Sequence, residues 1–119
     1  MDKQIPIADR TKRFAIRIIK ACHFLDQQSG GLRTLSNQLL RSGMSIGANV
    51  REAQSAQSNR DFLSKLDIAL KEARETQYWI EILIESNMVE NAKFNSLLQE
   101  ATEIIKILVT STKKPKNNL

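Results

Sequence analysis

The chain is short of the residues that cross-link, kink or catalyse, and each shortage removes a class of protein. A single cysteine, Cys22, rules out an internal disulfide and suits the cytoplasm. A single histidine, His23, with no acidic or cysteine cluster at ligand spacing, leaves no metal-site pattern. Only two prolines and four glycines occur, and neither proline interrupts a periodic segment, so long helices can form. The aromatics are one Trp, one Tyr and four Phe, too few for an extended stacking surface. No apolar run approaches the roughly 18 residues of a membrane span, and the opening MDKQIPIADR lacks the apolar core of a signal peptide. No Gly-rich loop follows a strand-like segment, so no phosphate cradle is expected. Cys22 falls on an apolar stripe, where a buried inert thiol is a simpler reading than a nucleophile. Glu52, Glu72 and Glu75 read more simply as partners of Arg41, Arg51 or Arg74 than as acid–base catalysts. The expectation is a non-enzyme without a cofactor.

What remains is helix-forming, periodic and basic. At 119 residues the chain makes one domain, large enough to bury about two-thirds of the surface of its unfolded form. A net charge of +5 permits an anionic partner without naming one. The central stretch is Gln38 to Ala53, read as QLLRSGMSIGANVREA. On a helical wheel Leu35, Leu39, Ile46, Val50 and Ala53 form one apolar stripe. Ser42, Ser45, Asn49 and Glu52 follow one flank of it. They either fix the register of a bundle by internal hydrogen bonds, the favoured reading, or line a functional groove. Gly43 and Gly47 lie one turn apart on the other flank. Each glycine inside a helix costs about 1 kcal/mol relative to alanine. Close approach of another backbone is the usual compensation; a thin spot in an ordinary helix is the plain alternative.

Taken in order, residues 1–8 read as an irregular lead, with Pro6 discouraging helix just before it. A first helix is expected from about Asp9 to Gln28, with Ala15, Ile18, Cys22 and Leu25 inward and Phe14 and Ile19 widening the stripe. Arg10, Arg13, Arg17 and Lys20 repeat on the opposite face, extended by Phe24, and no acidic residue between 10 and 25 neutralises them. Such a face is either merely solvated or a contact for phosphates. Ser29-Gly30-Gly31 ends this helix. A second runs from about Leu32 to Gln54, and Ser58 with Asp61 opens a third as a shortened capping box. The third helix, about Asn59 to Ser86, carries an unbroken heptad seam of Phe62, Leu66, Ala69, Ala73, Thr76, Ile80 and Leu83. A second stripe on its far side, Ile68, Glu72, Glu75, Trp79 and Ile82, exceeds what an isolated bundle needs and suggests another contact surface, against the alternative of scattered surface residues. Asn87 stops this helix. A fourth starts near Asn91, buries Phe94, Leu97, Ala101, Ile104 and Leu108, and frays near Thr112. Residues 113–119 read as a disordered Lys-rich tail, leaving 9–112 as the bundle. The expected fold is all-α, an antiparallel up-down-up-down four-helix bundle, because short connections place successive helices side by side.

The run Gln38-Leu39-Leu40-Arg41-Ser42, then Ser45-Ile46, then Asn49-Val50-Arg51-Glu52, resembles the signature of the bacterial four-helix-bundle proteins encoded in intervening sequences of 23S ribosomal RNA genes, often labelled ribosomal proteins. The likeness continues through Asp61-Phe62-Leu63, Ile68-Ala69-Leu70, Glu75-Thr76 and Tyr78-Trp79, and covers about residues 10–110. The chain departs from the pattern at Ala53, where glycine is frequent, and at Lys71-Glu72, where Gly-Ser is frequent; both changes favour helix. The family is also similar to the pentameric accessory proteins of diversity-generating retroelements, which attach to a reverse transcriptase and RNA.

The resemblance implies a homo-oligomeric ring, a pentamer, with no settled activity. Closed rings use unlike patches, so the stripe of Ile68, Trp79 and Ile82 is expected to meet the Gly43/Gly47 flank of a neighbour. Two functions follow as expectations. One is weak, sequence-independent binding of RNA or DNA through Arg10, Arg13, Arg17 and Lys20 with Lys113 and Lys114 of the tail. The other is a protein-interaction scaffold for a partner such as a reverse transcriptase. A membrane is not an expected partner.

Overall fold

The computed structural model describes residues 5–28 and 30–117, with backbone alone for 114–117. Four helices account for almost all of them: α1 (Ile7–Asp26), α2 (Leu32–Gln54), α3 (Asn59–Glu85) and α4 (Asn91–Asn117). The expected lead at 1–4, Ser29, and the last two residues lie outside the described residues.

Each boundary has a local cause. Proline restricts the residue before it, not those after it, so α1 starts at Ile7, two residues earlier than the spacing suggests. Pro6 itself is the N-cap, at φ −57° and ψ 147°, and its carbonyl accepts the first helical bond from the Arg10 amide at 2.9 Å. α1 ends at Asp26, two residues before the expected end, and its C-cap is Gln27 in the right-handed region at φ −84°, so the paired glycines do not cap it. Gly30 takes the left-handed conformation at φ 94° in the turn beyond. At α3 the Asp61 amide donates to Ser58 Oγ at 3.1 Å. The short Asp61 carboxylate reaches back only to the Gln57 amide, at 3.4 Å, which makes the box incomplete. Asn87 ends α3 in the left-handed region at φ 59°.

At the far end the expected tail is helical instead. α4 runs past Thr112 to Asn117, through Pro115. Pro115 has no amide hydrogen to give the Ser111 carbonyl, so the helix continues there with one bond fewer. Just upstream, Ser111 and Thr112 donate to the Ile107 and Val109 carbonyls at 2.9 and 3.0 Å, which keeps both polar side chains compatible with helix.

The seams meet in one core. Leu66, Ala69, Ala73, Thr76, Ile80 and Leu83 of α3 are buried, as are Phe94, Leu97, Ala101, Ile104 and Leu108 of α4. Phe62 and Leu35 reach only half burial. In α1 the buried set is Thr11, Phe14, Ile18, Ala21, Cys22 and Leu25. Ile19, expected inside, stands about 100° round the helix from Ile18 and is 48% exposed. Thr11 takes a place inside because its hydroxyl donates to the Ile7 carbonyl at 2.8 Å, leaving no polar atom unpaired.

α1 packs on α2, α2 on α3 and α3 on α4, while α1 meets α4 more sparingly. Rising along α1, Thr11, Ile18 and Cys22 meet Gly47, Gly43 and Ser36 of α2 in falling order. Arg10 and Arg17 meet Glu100 and Ser96 of α4, again in falling order. No helix among the described residues is long and apolar enough to cross a membrane.

Candidate nucleic-acid interface

The basic row of α1 divides when the helix is packed. Arg10 turns toward α4, where Nε and Nη2 donate to the two carboxylate oxygens of Glu100 at 2.6 and 3.0 Å. Both side chains are mostly buried, so this is a structural clasp across the α1–α4 seam. No acidic residue between 10 and 25 neutralises this face, but Glu100 of α4 answers it at Arg10. The partner lies 90 residues away, on a helix whose approach periodicity within α1 cannot reveal. Arg17 Nη2 donates to Ser96 Oγ at 2.8 Å, which anchors that side chain while leaving its charge uncompensated. Arg13 and Lys20 are exposed and form no ion pair among the described residues.

Arg17 lines two hollows in the crevice between α1 and α4, besides a third along α4 that holds Glu100 and Glu103. One is lined by Arg10, Arg13, Phe14 and Glu100. The other, of about 180 Å³, is lined by Arg17, Lys20, Phe24 and Lys93 over a floor that includes Phe94 and Leu97. Lys93 of α4 is a member that sequence spacing misses; its Nζ lies 5.9 Å from the Phe24 ring centroid. Lys113 is exposed far along α4 from Lys93, about 30 Å at 1.5 Å per residue, and the Lys114 side chain lies outside the described residues. Lys113 is therefore not a neighbour of the Lys93 hollow.

The glycine flank faces inward. An added Cβ at Gly43 would lie 2.8–3.2 Å from three Ile18 side-chain carbons, and one at Gly47 would lie 3.3 Å from the Thr11 carbonyl oxygen. The close approach expected of these glycines exists, but its partner is α1 of the same chain. Gly43 is buried and so cannot meet a neighbouring subunit. Met44, the residue between them that points out, is 42% exposed.

The polar flank also separates. Ser42 is buried, and the Thr76 hydroxyl of α3 reaches its Oγ at 2.9 Å, a cross-helix bond that fixes register. Ser45 and Asn49 donate to the Arg41 and Ser45 carbonyls of their own helix, at 2.9 and 2.8 Å, and Glu52 is exposed. Ser36, unremarked by spacing, does register work between α1 and α2: it donates to the Cys22 carbonyl at 3.3 Å while the Cys22 thiol donates to the Ser36 carbonyl at 3.4 Å. Burial pushes the Cys22 thiol up from its ordinary value; the Ser36 contact offsets part of this and Asp26 adds to it. That thiol is protonated and unreactive at neutral pH.

On the far side of α3, Arg41 of α2 pairs with Glu72 at 3.3 Å and with Glu75, and Trp79 Nε1 donates to Glu75 Oε2 at 3.0 Å. Ile68 is 39% exposed and Tyr78 55% exposed, while Trp79 and Ile82 are half-buried. Among the described residues no three His, Cys, Asp or Glu side chains gather to hold a metal.

The model of the family described as 23S rRNA-intervening sequence protein matches residues 3–110. The chain belongs to that family. A crystal structure of a protein of unknown function from the S23 ribosomal protein family of Bacteroides thetaiotaomicron VPI-5482 is similar to it over 92% of this chain and 100% of that one, at 44% identity and a TM-score of 0.85. No curated protein matches the chain. Membership accounts for the all-α four-helix fold and brings no established activity with it. Within the family's pattern, the motif Gln38–Glu52 is revealed as mainly a packing motif: Leu39, Ser42, Gly43, Ile46 and Val50 are its buried members.

Proposed function

We propose that this chain is a non-enzymatic, RNA-binding member of its family, acting in the cytoplasm through the crevice between α1 and α4. The observation that carries this reading is the convergence of Arg13, Arg17, Lys20 and Lys93 on that crevice, with its one mostly buried carboxylate, Glu100, already neutralised by Arg10. Phosphate backbones are bound by such clusters without base readout, and binding weakens steeply with salt because each neutralised phosphate releases counterions. One crevice offers only a few phosphate contacts. Repetition around a homopentameric ring of antiparallel up-down-up-down bundles multiplies them into useful avidity. The ring number rests on the family resemblance.

The ring interface in this reading pairs the α3 stripe of Ile68, Trp79 and Ile82 with a patch on the neighbour. Gly43 is buried and drops out of that patch, whereas half-buried Gly47 lines a surface hollow beside Met44. Ile16, Ile19 and Met44, each more than 40% exposed, extend the patch. A second reading, a scaffold that holds a partner protein such as a reverse transcriptase, is favoured by Tyr78, which stands exposed beside that stripe with its ring edge-on to Trp79 at 5.3 Å.

The test is the double variant Arg13→Glu/Lys20→Glu, chosen because neither side chain holds the fold through an ion pair among the described residues. Fluorescence anisotropy with a labelled RNA at low salt should give a loss on the order of tenfold or more, with an unchanged circular-dichroism melt. Full affinity in the folded variant overturns the crevice as the binding site.

A further inference from the structure

We infer that the α1–α4 crevice takes single-stranded rather than duplex nucleic acid, with one base stacked on Phe24. This deepens the RNA-binding reading and rests on it. Phe24 ends the basic row of α1 and is 38% exposed, although its neighbour Leu25 is fully buried. A lone exposed phenylalanine needs no explanation by itself. Its setting is the informative part: Arg17, Lys20 and Lys93 surround the same hollow, whose floor of Phe94 and Leu97 is buried. Cations beside an aromatic face supply the two things one nucleotide offers, a phosphate charge and a π-surface.

Lys93 marks the ring as reachable, since its ammonium hovers 5.9 Å from the centroid. An exposed cation–π contact is worth about 0.5–1 kcal/mol, whereas stacking a base on an aromatic side chain is worth about 1–3 kcal/mol. A base therefore displaces the ammonium from the ring, and the flexible lysine stays close enough to meet the adjoining phosphate. A duplex cannot use Phe24, because its bases are stacked on one another and present only edges in the grooves. It would touch the cations alone. Stacking is indifferent to base identity, so the site discriminates strand state, not sequence.

The experiment measures anisotropy of the full chain with a labelled oligouridylate and with an RNA duplex of equal length, over a salt series, for the wild type, Phe24→Ala and Phe24→Trp. The expected result is tighter binding of the single strand by the wild type. Phe24→Ala should lose about fivefold or more on the single strand only, with an unchanged salt slope, and Phe24→Trp should restore it. A silent Phe24→Ala, an equal loss on both ligands, or a wild type without strand preference overturns the stacking site while leaving the basic crevice standing. If neither RNA binds the wild type at low salt, the RNA-binding reading itself has failed. A circular-dichroism melt of each variant separates these outcomes from unfolding.

Discussion

Gly43 shows how much one missing carbon can decide. Alanine there would gain about 1 kcal/mol of helix propensity. It would also press a methyl group to within 2.8–3.2 Å of Ile18, a β-branched side chain that is fully buried and has nowhere to turn. Overpacking of this kind costs about 1–3 kcal/mol, so the net effect of Gly43→Ala is destabilising, by up to about 2 kcal/mol. Gly47→Ala is the milder change, because its methyl would sit 3.3 Å from the Thr11 carbonyl, a contact relieved by a shift of a few tenths of an ångström. Urea denaturation of the two variants should rank Gly43→Ala as the less stable; the reverse order would mean that the α1–α2 contact is looser than these distances state. The sequence announced that something must compensate two glycines in a helix. It could not say that the compensation lies inside the chain, since the wheel orders residues around one axis and carries no information on which axis comes alongside.

At the scale of the elements, the heptad seams of α3 and α4 were legible almost residue by residue. A long helix against one core must repeat its apolar residues at 3 and 4, and nothing else in the chain competes with that signal. α1 was harder to read. It carries Ile16, Ile18 and Ile19 together, and only packing decides that Ile18 goes in while the other two stay exposed. Its basic row was visible, but the split between structural and free cations was not. Arg10 belongs to the α1–α4 seam through Glu100, and both side chains are below a quarter exposed. Glu100→Gln keeps the shape and removes the charge. Its expected cost is about 1–2 kcal/mol, between the worth of a solvated pair and that of a buried one. Chemical denaturation of wild type and variant at low and high salt checks this, with the gap narrowing at high salt. No loss of stability would demote the clasp to a surface pair.

For the whole molecule, the open question is what covers α3. Its outer stripe is half apolar, and α1 and α2 expose Ile16, Ile19 and Met44 elsewhere on the same body. Complementary unlike patches on one chain close a ring when the rotation between copies divides a circle. On the proposed ring, whose number the family resemblance supplies, light scattering at micromolar concentration should give the mass of a pentamer, and Ile68→Glu, at an exposed position, should lower that mass without lowering the melting temperature of the bundle. A monomer mass for the wild type sinks the ring, and an undisturbed oligomer in the variant removes Ile68 from its interface.

The sequence by itself determined the class, the four helices, the end marked by Asn87, and the family, because each of these is written in local propensity or in spacing along one chain. The tertiary structure alone decided which polar and charged residues are free. Ser42 is committed to Thr76, Ser36 to Cys22 and Arg10 to Glu100, pairings between residues 34, 14 and 90 positions apart. A crevice is made of residues from two helices, so Lys93 joins Lys20 and Phe24 only when α4 is laid beside α1. Periodicity fixes which face a residue occupies on its own helix. The neighbour that face meets is set by the packing of the whole core, to which every helix contributes at once.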